Sequence, residues 1–231
     1  MTGQSGDTNQ FGGFHVQAGP LTEADQARVE LADEVREMIR EIISTEASIE
    51  EVRRARDHVH AGVELLLARA HGRAPGVGEA ALVERGRNFM ARSPMMGAIN
   101  PIAAPLTVRV LEEGQKAVVE GRVVFTAAYE GAPGCVHGGF LASAFDEVLG
   151  VAQSASGNPG MTANLSVDYR SPTPILRELV FRGWCDRIDG RKIYTRGTLH
   201  HGDTLCAEAS GLFIAMRPEL FAKLLAMREE N

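Results

Sequence analysis

The 231-residue chain is long enough to bury a full hydrophobic core, and its length fits one domain or one domain with an extension. Hydrophobic residues make up 44% of the chain and charged residues 23%, values typical of a globular protein that exclude disorder of the whole chain. The net charge of −6, from 24 basic and 30 acidic residues, argues against a general nucleic-acid-binding protein, because such binding neutralises phosphates with Lys and Arg.

The N-terminal part is predicted to hold a polar lead and two helices. Residues 1–20 are rich in Gly, Gln, Ser and Thr and are predicted to be a disordered lead. From residue 21 to about 71, apolar residues recur three and four apart, and Ser48 with Glu51 forms a capping box that begins a second helix. Neither apolar stripe keeps a strict heptad, so we favour a docking or oligomerising helical hairpin over a partner-binding coiled coil.

Strand signals begin after a connector that contains several Gly and Pro residues. We therefore assign residues 21–92 to a helical extension and connector, and residues 93–231 to the main domain. Two strands, one helix and four strands predict an antiparallel sheet curled around one apolar helix, an α+β arrangement. The predicted strands are about 105–113, 117–129, 162–170, 179–188, 192–200 and 205–216, and short helices are predicted around 80–89 and 218–228.

The most informative stretch is a glycine-rich turn that leads into the apolar helix. Gly138 and Gly139 follow His137 and open the helix, so their backbone N–H groups are available to an oxyanion, aided by the helix dipole. The helix is apolar nearly all round and should be buried, apart from Asp146 and Glu147. Burial raises the pKa of a carboxyl group unless a hydrogen bond or a charge compensates. An acid that reaches solvent through a gap is the alternative, and the adjacent glycine turn favours a functional carboxylate.

Three features together resemble the hotdog-fold acyl-CoA thioesterases of the PaaI and THEM4-like group. They are His137-Gly-Gly, Asp146 nine residues after the histidine, and the Thr162-Ala-Asn-Leu-Ser-Val-Asp-Tyr-Arg-Ser-Pro segment. The resemblance covers about residues 93–218, and it implies a hotdog fold, an antiparallel sheet wrapped around a central helix, here with an N-terminal helical extension. It also implies hydrolysis of a fatty or aromatic acyl-CoA to the free acid and CoA.

The resemblance and the chemistry assign roles to five residues. Thioester hydrolysis needs an oxyanion site, offered by the Gly138 N–H with Gly139 as a possible second donor. Asp146 is either the nucleophile or the general base, and it is preferred over its neighbour because it matches the family motif. Thr162 matches the family residue that orients the carboxylate or water. His137 is expected to hold the glycine turn through a backbone hydrogen bond.

The spacing of these groups implies an assembly. Gly138 and Asp146 are eight residues apart and hence about 12 Å apart along a helix, too far to act on one carbonyl. If both act on one thioester, a second chain must supply Asp146 across a two-fold axis. The family resemblance likewise implies a homodimer with composite sites, possibly assembled into a tetramer.

The polyanionic CoA would need a basic patch on this acidic chain. Between residues 170 and 201, seven basic residues stand against three acidic ones, although most of these arginines should be solvated strand faces. Arg170, Arg191 and Lys192 are the candidates for the CoA phosphates. No cofactor is expected, since CoA belongs to the substrate, and the histidine spacings predict no metal site.

Two other functions are compatible with the same residues. A hotdog hydratase or dehydratase would use His137 with an acid, and a non-catalytic acyl-CoA sensor would present the acidic N-terminal hairpin as an output surface. Three cysteines without paired spacing, a polar start and no apolar run of bilayer length favour a cytoplasmic protein with no membrane span.

Overall fold

The computed structural model describes residues 21–68, 90–113, 116–157, 160–215 and 217. The predicted disordered lead and the predicted helices around 80–89 and 218–228 lie outside the described residues, as do the first turns of the connector.

Two capped helices form the N-terminal extension. Helix α1 spans Glu23–Ser44, and the Thr22 hydroxyl caps it by accepting the Asp25 N–H at 3.1 Å. Helix α2 spans Ile49–Leu67 and starts with the predicted capping box, in which Ser48 Oγ accepts the Glu51 N–H and a Glu51 carboxylate oxygen accepts the Ser48 N–H. The helix start predicted at Ser48 is therefore confirmed.

Six antiparallel strands form one sheet in the order β1-β2-β4-β5-β6-β3. They are β1 Thr107–Glu113, β2 Lys116–Val124, β3 Gly160–Tyr169, β4 Glu178–Asp189, β5 Lys192–His201 and β6 Thr204–Ala215. The second strand was predicted to run to residue 129, which is wrong: β2 ends at Val124, and Ala127–Tyr129 form a 3-10 turn. The chain leaves the sheet there because the buried Phe125 carbonyl accepts the Leu176 N–H at 2.7 Å from outside the strands.

The third helix, α3, spans Gly138–Ser154 and packs across β2 to β6. Its side chains Phe145, Val148 and Leu149 are fully buried, and the Phe145 ring meets the Phe181 ring edge to face at 5.0 Å. Gly183 and Gly197 pair with each other on β4 and β5, and a Cβ on either would lie within 3.1 Å of this helix's side chains or of a strand backbone. The close approach of helix and sheet confirms the predicted α+β hotdog architecture.

Candidate active site

A tight loop delivers the chain into the first turn of α3. Gly134 has a positive φ of 73°, and the His137 N–H bonds the Tyr129 carbonyl at 2.8 Å. His137 is the N-cap of α3, and its Nδ1 accepts the Gly139 N–H at 3.0 Å. The Gly138 N–H has no hydrogen-bond partner among the described residues, as expected at the first position of a helix. The Gly138 N–H is therefore the free donor of this turn, because the His137 imidazole already accepts the Gly139 N–H.

Tyr169 on β3 fixes the same turn from the sheet side. Its hydroxyl donates to the Gly138 carbonyl at 2.8 Å, and a Cβ at position 138 would lie 3.0 Å from that hydroxyl oxygen. Glycine at this position therefore allows Tyr169 to approach closely without displacement and leaves the backbone N–H uncovered by a side chain. Sequence reasoning missed this residue, and no local signal marks it, since the contact joins residues 31 apart.

Asp146 lies two turns further along α3 and is held by β3. The Thr162 hydroxyl donates to Asp146 Oδ1 at 2.8 Å. The register of β3 against β6 shifts between Thr162 and Asn164, which marks a bulge at this point of the strand. Asp146 Oδ2 accepts no hydrogen bond from the described residues and remains available to water or substrate. The structure thus brings together two of the predicted site residues, Asp146 and Thr162.

For the acyl-CoA hydrolysis expected from the sequence, we expect Thr162→Ala to lower kcat by about tenfold. A hydrogen bond to a charged group is worth about 1.5–3 kcal/mol, and water entering the vacated space restores part of it. Thr162→Ser keeps the hydroxyl and should retain nearly full turnover, so comparing kcat of the two variants isolates the hydrogen bond. A Thr162→Ser protein as impaired as Thr162→Ala would assign the loss to packing instead.

A cavity of about 470 Å³ lies beside Asp146. Its wall combines both acids of α3 with apolar side chains, and the lining residues are Pro94, Met95, Ala142, Ser143, Asp146, Glu147, Thr162 and Leu165. A mostly apolar cleft with a few convergent polar groups is typical of a small-molecule site.

Glu147 is a second carboxyl group of this cavity. Ser93 Oγ donates to Glu147 Oε1 at 2.7 Å and accepts the N–H groups of Met95 and Met96, both at 3.1 Å. Burial raises the pKa of Glu147, the Ser93 bond opposes that rise, and the nearby charge of Asp146 adds to it. The raised pKa that the sequence predicts for a buried acid of this helix is therefore found at Glu147. The Ser93 contact spans 54 residues and was not predicted.

Glu147→Gln is expected to raise the melting temperature at pH 8 and to leave it nearly unchanged at pH 4. A pKa that is higher in the folded protein than in the unfolded chain means that ionising Glu147 costs folding free energy. That cost is absent below the unfolded value of about 4.3 and grows as the pH rises through the folded value. Thermal unfolding followed by circular dichroism at both pH values gives the comparison. Glu112→Gln, at an exposed position of β1, is the control, and a wild-type-like pH dependence for Glu147→Gln would contradict the expectation.

The three predicted phosphate ligands lie at opposite ends of the sheet. Arg170 Nε donates to Glu208 at 2.9 Å, and its guanidinium lies 3.6 Å from Asp168, so its charge is already countered. Arg191 donates twice to the Ala215 carbonyl, at 3.1 and 2.9 Å, and no carboxylate of the described residues forms an ion pair with it. Lys192 is exposed. One chain therefore does not bring Arg170 together with the other two.

No group of three His, Cys, Asp or Glu side chains in the part of the chain that the structure describes is placed to hold a metal ion. No helix in the described ranges has the length and apolarity to cross a bilayer.

The fold and the site together define a hotdog-fold domain. Its central helix α3 begins at the glycine turn and carries, two turns later, Asp146, which accepts a hydrogen bond from Thr162. The thioesterase superfamily profile matches residues 133–208, which contain all of these groups. A crystal structure of a thioesterase superfamily protein is 30% identical with a TM-score of 0.72, and the match covers 86% of this chain and 93% of that one. The chain belongs to the thioesterase superfamily.

Two curated relatives match a shorter part of the chain. Acyl-coenzyme A thioesterase THEM4 of Bos taurus is 38% identical over 92 residues, which is 39% of this chain and 38% of the relative. Acyl-coenzyme A thioesterase THEM5 of Homo sapiens is 30% identical over 92 residues, 39% of this chain and 37% of the relative. The match thus spans less than two fifths of the length of these relatives.

Proposed function

We propose that the protein is an acyl-CoA thioesterase that hydrolyses a fatty or aromatic acyl-CoA to the free acid and CoA. The observation that carries this proposal is Asp146, held at one oxygen by Thr162 and facing an apolar-walled cavity. The names of the curated relatives support the same activity.

The reaction follows from these groups. Asp146 Oδ2 takes a proton from water, and the oxygen of that water adds to the thioester carbonyl. The carbonyl oxygen becomes an oxyanion, which a Gly138 N–H stabilises together with the helix dipole. The C–S bond then breaks, its electron pair goes to sulfur, and the thiolate takes up a proton. Direct attack by Asp146, giving a mixed anhydride that water hydrolyses, uses the same free oxygen and is the second route.

Both groups meet in a homodimer under this proposal. Helix α3 is continuous from Gly138 to Asp146, so the separation of about 12 Å holds within one chain. Strand β3 is an edge strand, and within the described part of the chain its outer edge has no partner. An unpaired edge of ten residues is a template for pairing with a second copy. A two-fold axis there would oppose the Gly138 end of one helix to the Asp146 end of the other.

The phosphate candidates fit this dimer better than they fit the monomer. Thr162 and Ile193 are both in register with Phe213, so Lys192 and Arg191 share the Asp146 end of the sheet. Arg170 follows Tyr169, which contacts Gly138, and so belongs to the other end. The two-fold axis would therefore bring Arg170 of one chain near Arg191 and Lys192 of its partner. Because the Glu208 carboxylate neutralises the charge of Arg170, we expect Arg191 and Lys192 to contribute most of the phosphate binding.

The proposal extends to cofactor and compartment. Water as the nucleophile, a carboxylate as the base and a backbone N–H as the oxyanion donor account for every step of the hydrolysis, so we assign no step to a metal or redox cofactor. The three cysteines are free thiols, and we assign the protein to the cytoplasm because a reducing compartment keeps thiols in that state.

The test is release of free thiol from a panel of short, medium, long and aromatic acyl-CoA esters, with protein mass in solution measured beside it. Thiol release from a dimeric or tetrameric species supports the proposal. Binding of acyl-CoA with no thiol release across the panel would favour the sensor instead. Consumption of an enoyl-CoA without thiol release would favour the hydratase, with His137 catalytic.

A further inference from the structure

One irregular segment, residues 93–106, contacts both ends of the site, and we call it the pocket segment. At the carboxylate end, Pro94 and Met95 line the cavity and Ser93 bonds Glu147. At the other end, the Ile102 carbonyl accepts the Tyr129 hydroxyl at 3.2 Å, and the Tyr129 carbonyl accepts the His137 N–H. The shape of this segment therefore bears on the cavity wall and on the glycine turn alike.

The pocket segment is folded tightly without being a helix or a strand. The Gly97 N–H bonds the Ser93 carbonyl at 2.9 Å, and the Leu106 N–H bonds the Met95 carbonyl at 3.0 Å. A Cβ at Gly97 would lie 2.4 Å from the Ser93 carbonyl oxygen, so only glycine fits. Because the turn is this tight, a shift of its later residues is transmitted to Ser93 and Met95.

Four carbonyl groups of the pocket segment converge on Arg36 of helix α1. Its guanidinium donates Nε to Ala103 and Nη2 to three further carbonyls, while Nη1 bonds Asp33 of the same helix. The Nη2 distances are 3.0 Å to Gly97, 2.6 Å to Ala98 and 3.0 Å to Asn100. These contacts join residues 61 to 67 apart, and the side chain is only 15% exposed.

A guanidinium is needed for this arrangement. It supplies five N–H donors in a planar fork, whereas the gathered carbonyls supply only acceptors. The Gly97 and Asn100 carbonyls also accept the backbone N–H groups of Asn100 and Ala103, at 3.1 and 3.0 Å, whereas Arg36 is the donor to the Ala98 and Ala103 carbonyls among the described residues. Without the cation, these last two carbonyls would lack a protein donor, and each partly buried carbonyl left unpaired costs free energy. The segment would relax by turning carbonyls outward to water, and the wall formed by Pro94 and Met95 would move with it.

We propose that Arg36 is a positioning residue through which helix α1 shapes the acyl cavity and so sets which acyl groups the site accepts. This inference rests on the proposed function for its substrate class. It gives the N-terminal extension a role in selectivity that acts through backbone carbonyls and not through direct contact with the substrate.

The chain offers a matched control on the same helix. Arg40 lies one turn after Arg36, and its side chain is 41% exposed. Within the described ranges its guanidinium bonds the carboxylates of Glu37 and Glu41 and no backbone carbonyl. The full chain is prepared as wild type, Arg36→Met, Arg36→Lys and Arg40→Met. For each, kcat and KM are measured on short, medium, long and aromatic acyl-CoA esters, and affinity for the same esters is measured by calorimetry under conditions of negligible turnover.

Arg36→Met is expected to change the ratio of kcat/KM between acyl groups by on the order of 10- to 100-fold, the scale of a displacement of about 1 Å near a reacting group. Arg36→Lys should show a smaller change, because an ammonium donates to fewer of the carbonyls. Arg40→Met should match wild type. The ratio is the decisive readout, since loss of folded protein lowers the rate on every ester by the same factor.

Wild-type ratios in folded Arg36→Met would overturn the inference. If that variant does not fold, Arg36→Lys and Tyr129→Phe carry the test, the latter removing the hydroxyl that bonds Ile102 and keeping the ring. Unchanged ratios in both would equally overturn it. A wild type that binds the esters but releases no thiol would refute the hydrolase alone, and the affinity ratios would then decide the role of Arg36. A wild type that neither binds nor hydrolyses any ester would refute both.

Discussion

Asp146→Asn is expected to keep the fold and most acyl-CoA binding while losing on the order of 100-fold or more in kcat. Asparagine nearly preserves the volume and still accepts the Thr162 hydroxyl at its amide oxygen. The amide nitrogen then occupies the position of Oδ2 and cannot accept a proton from water or attack a carbonyl. Steady-state thiol release gives kcat, and calorimetric titration with an acyl-CoA gives binding.

A matched control for this prediction is Asp203→Asn. Asp203 is exposed in the turn between β5 and β6. Its substitution by Asn makes the same change of charge at a position away from the cavity. It should retain wild-type kcat. If Asp146→Asn also retains wild-type kcat, then Asp146 is neither the base nor the nucleophile, and Glu147 becomes the acid to test.

The second large effect is recovery of activity in hybrid dimers. Asp146→Asn and Gly138→Pro are each expected to be nearly inactive alone, since each homodimer lacks one group in both sites. A hybrid dimer has one site with both groups intact, so it should regain about half of the wild-type activity per dimer. The second site of the hybrid lacks both.

Proline suits position 138 because it removes the N–H and is tolerated at the first position of a helix. His137 already has the extended conformation that precedes proline, with φ −61° and ψ 130°. The new ring meets the tip of Tyr169, so Tyr169→Phe is measured as the control for that contact. Hybrids are prepared with two affinity tags and purified in sequence. Correctly formed hybrids without recovered activity would rule out a site shared between chains.

The local sequence determined most of the elements. The capping box at Ser48 needs only residues three apart, and its helix begins there. The near-continuous apolar run after Gly139 predicted a buried helix, and α3 is that helix. The second strand was predicted too long because the alternation of inward and outward residues continues through Phe125. In the structure, the Phe125 carbonyl accepts a hydrogen bond from the Leu176 N–H, and the chain leaves the sheet there.

The sequence also carried part of the site, for the same reason of proximity. The His-Gly-Gly turn and Asp146 lie within ten residues of each other at the start of one helix. Helix geometry alone therefore separates Gly138 from Asp146 by about 12 Å, which indicates that a second chain completes the site. The choice of Asp146 over Glu147 came from family resemblance, since adjacent helical residues cannot be ranked by composition.

Only the tertiary structure decided which distant residues these groups meet. Periodicity tells which face of an element is buried, but it does not identify the partner across the interface, and that partner sets hydrogen bonding and pKa. Ser93 reaches Glu147 across 54 residues, and Tyr169 reaches Gly138 across 31. Arg36 looked like one more charge on a solvated helix, yet packing α1 against the pocket segment surrounds its guanidinium with carbonyls from residues more than 60 positions away. Side chains from separate elements become neighbours only when the whole core closes, which is why the sequence predicted the framework and the fold decided the contacts.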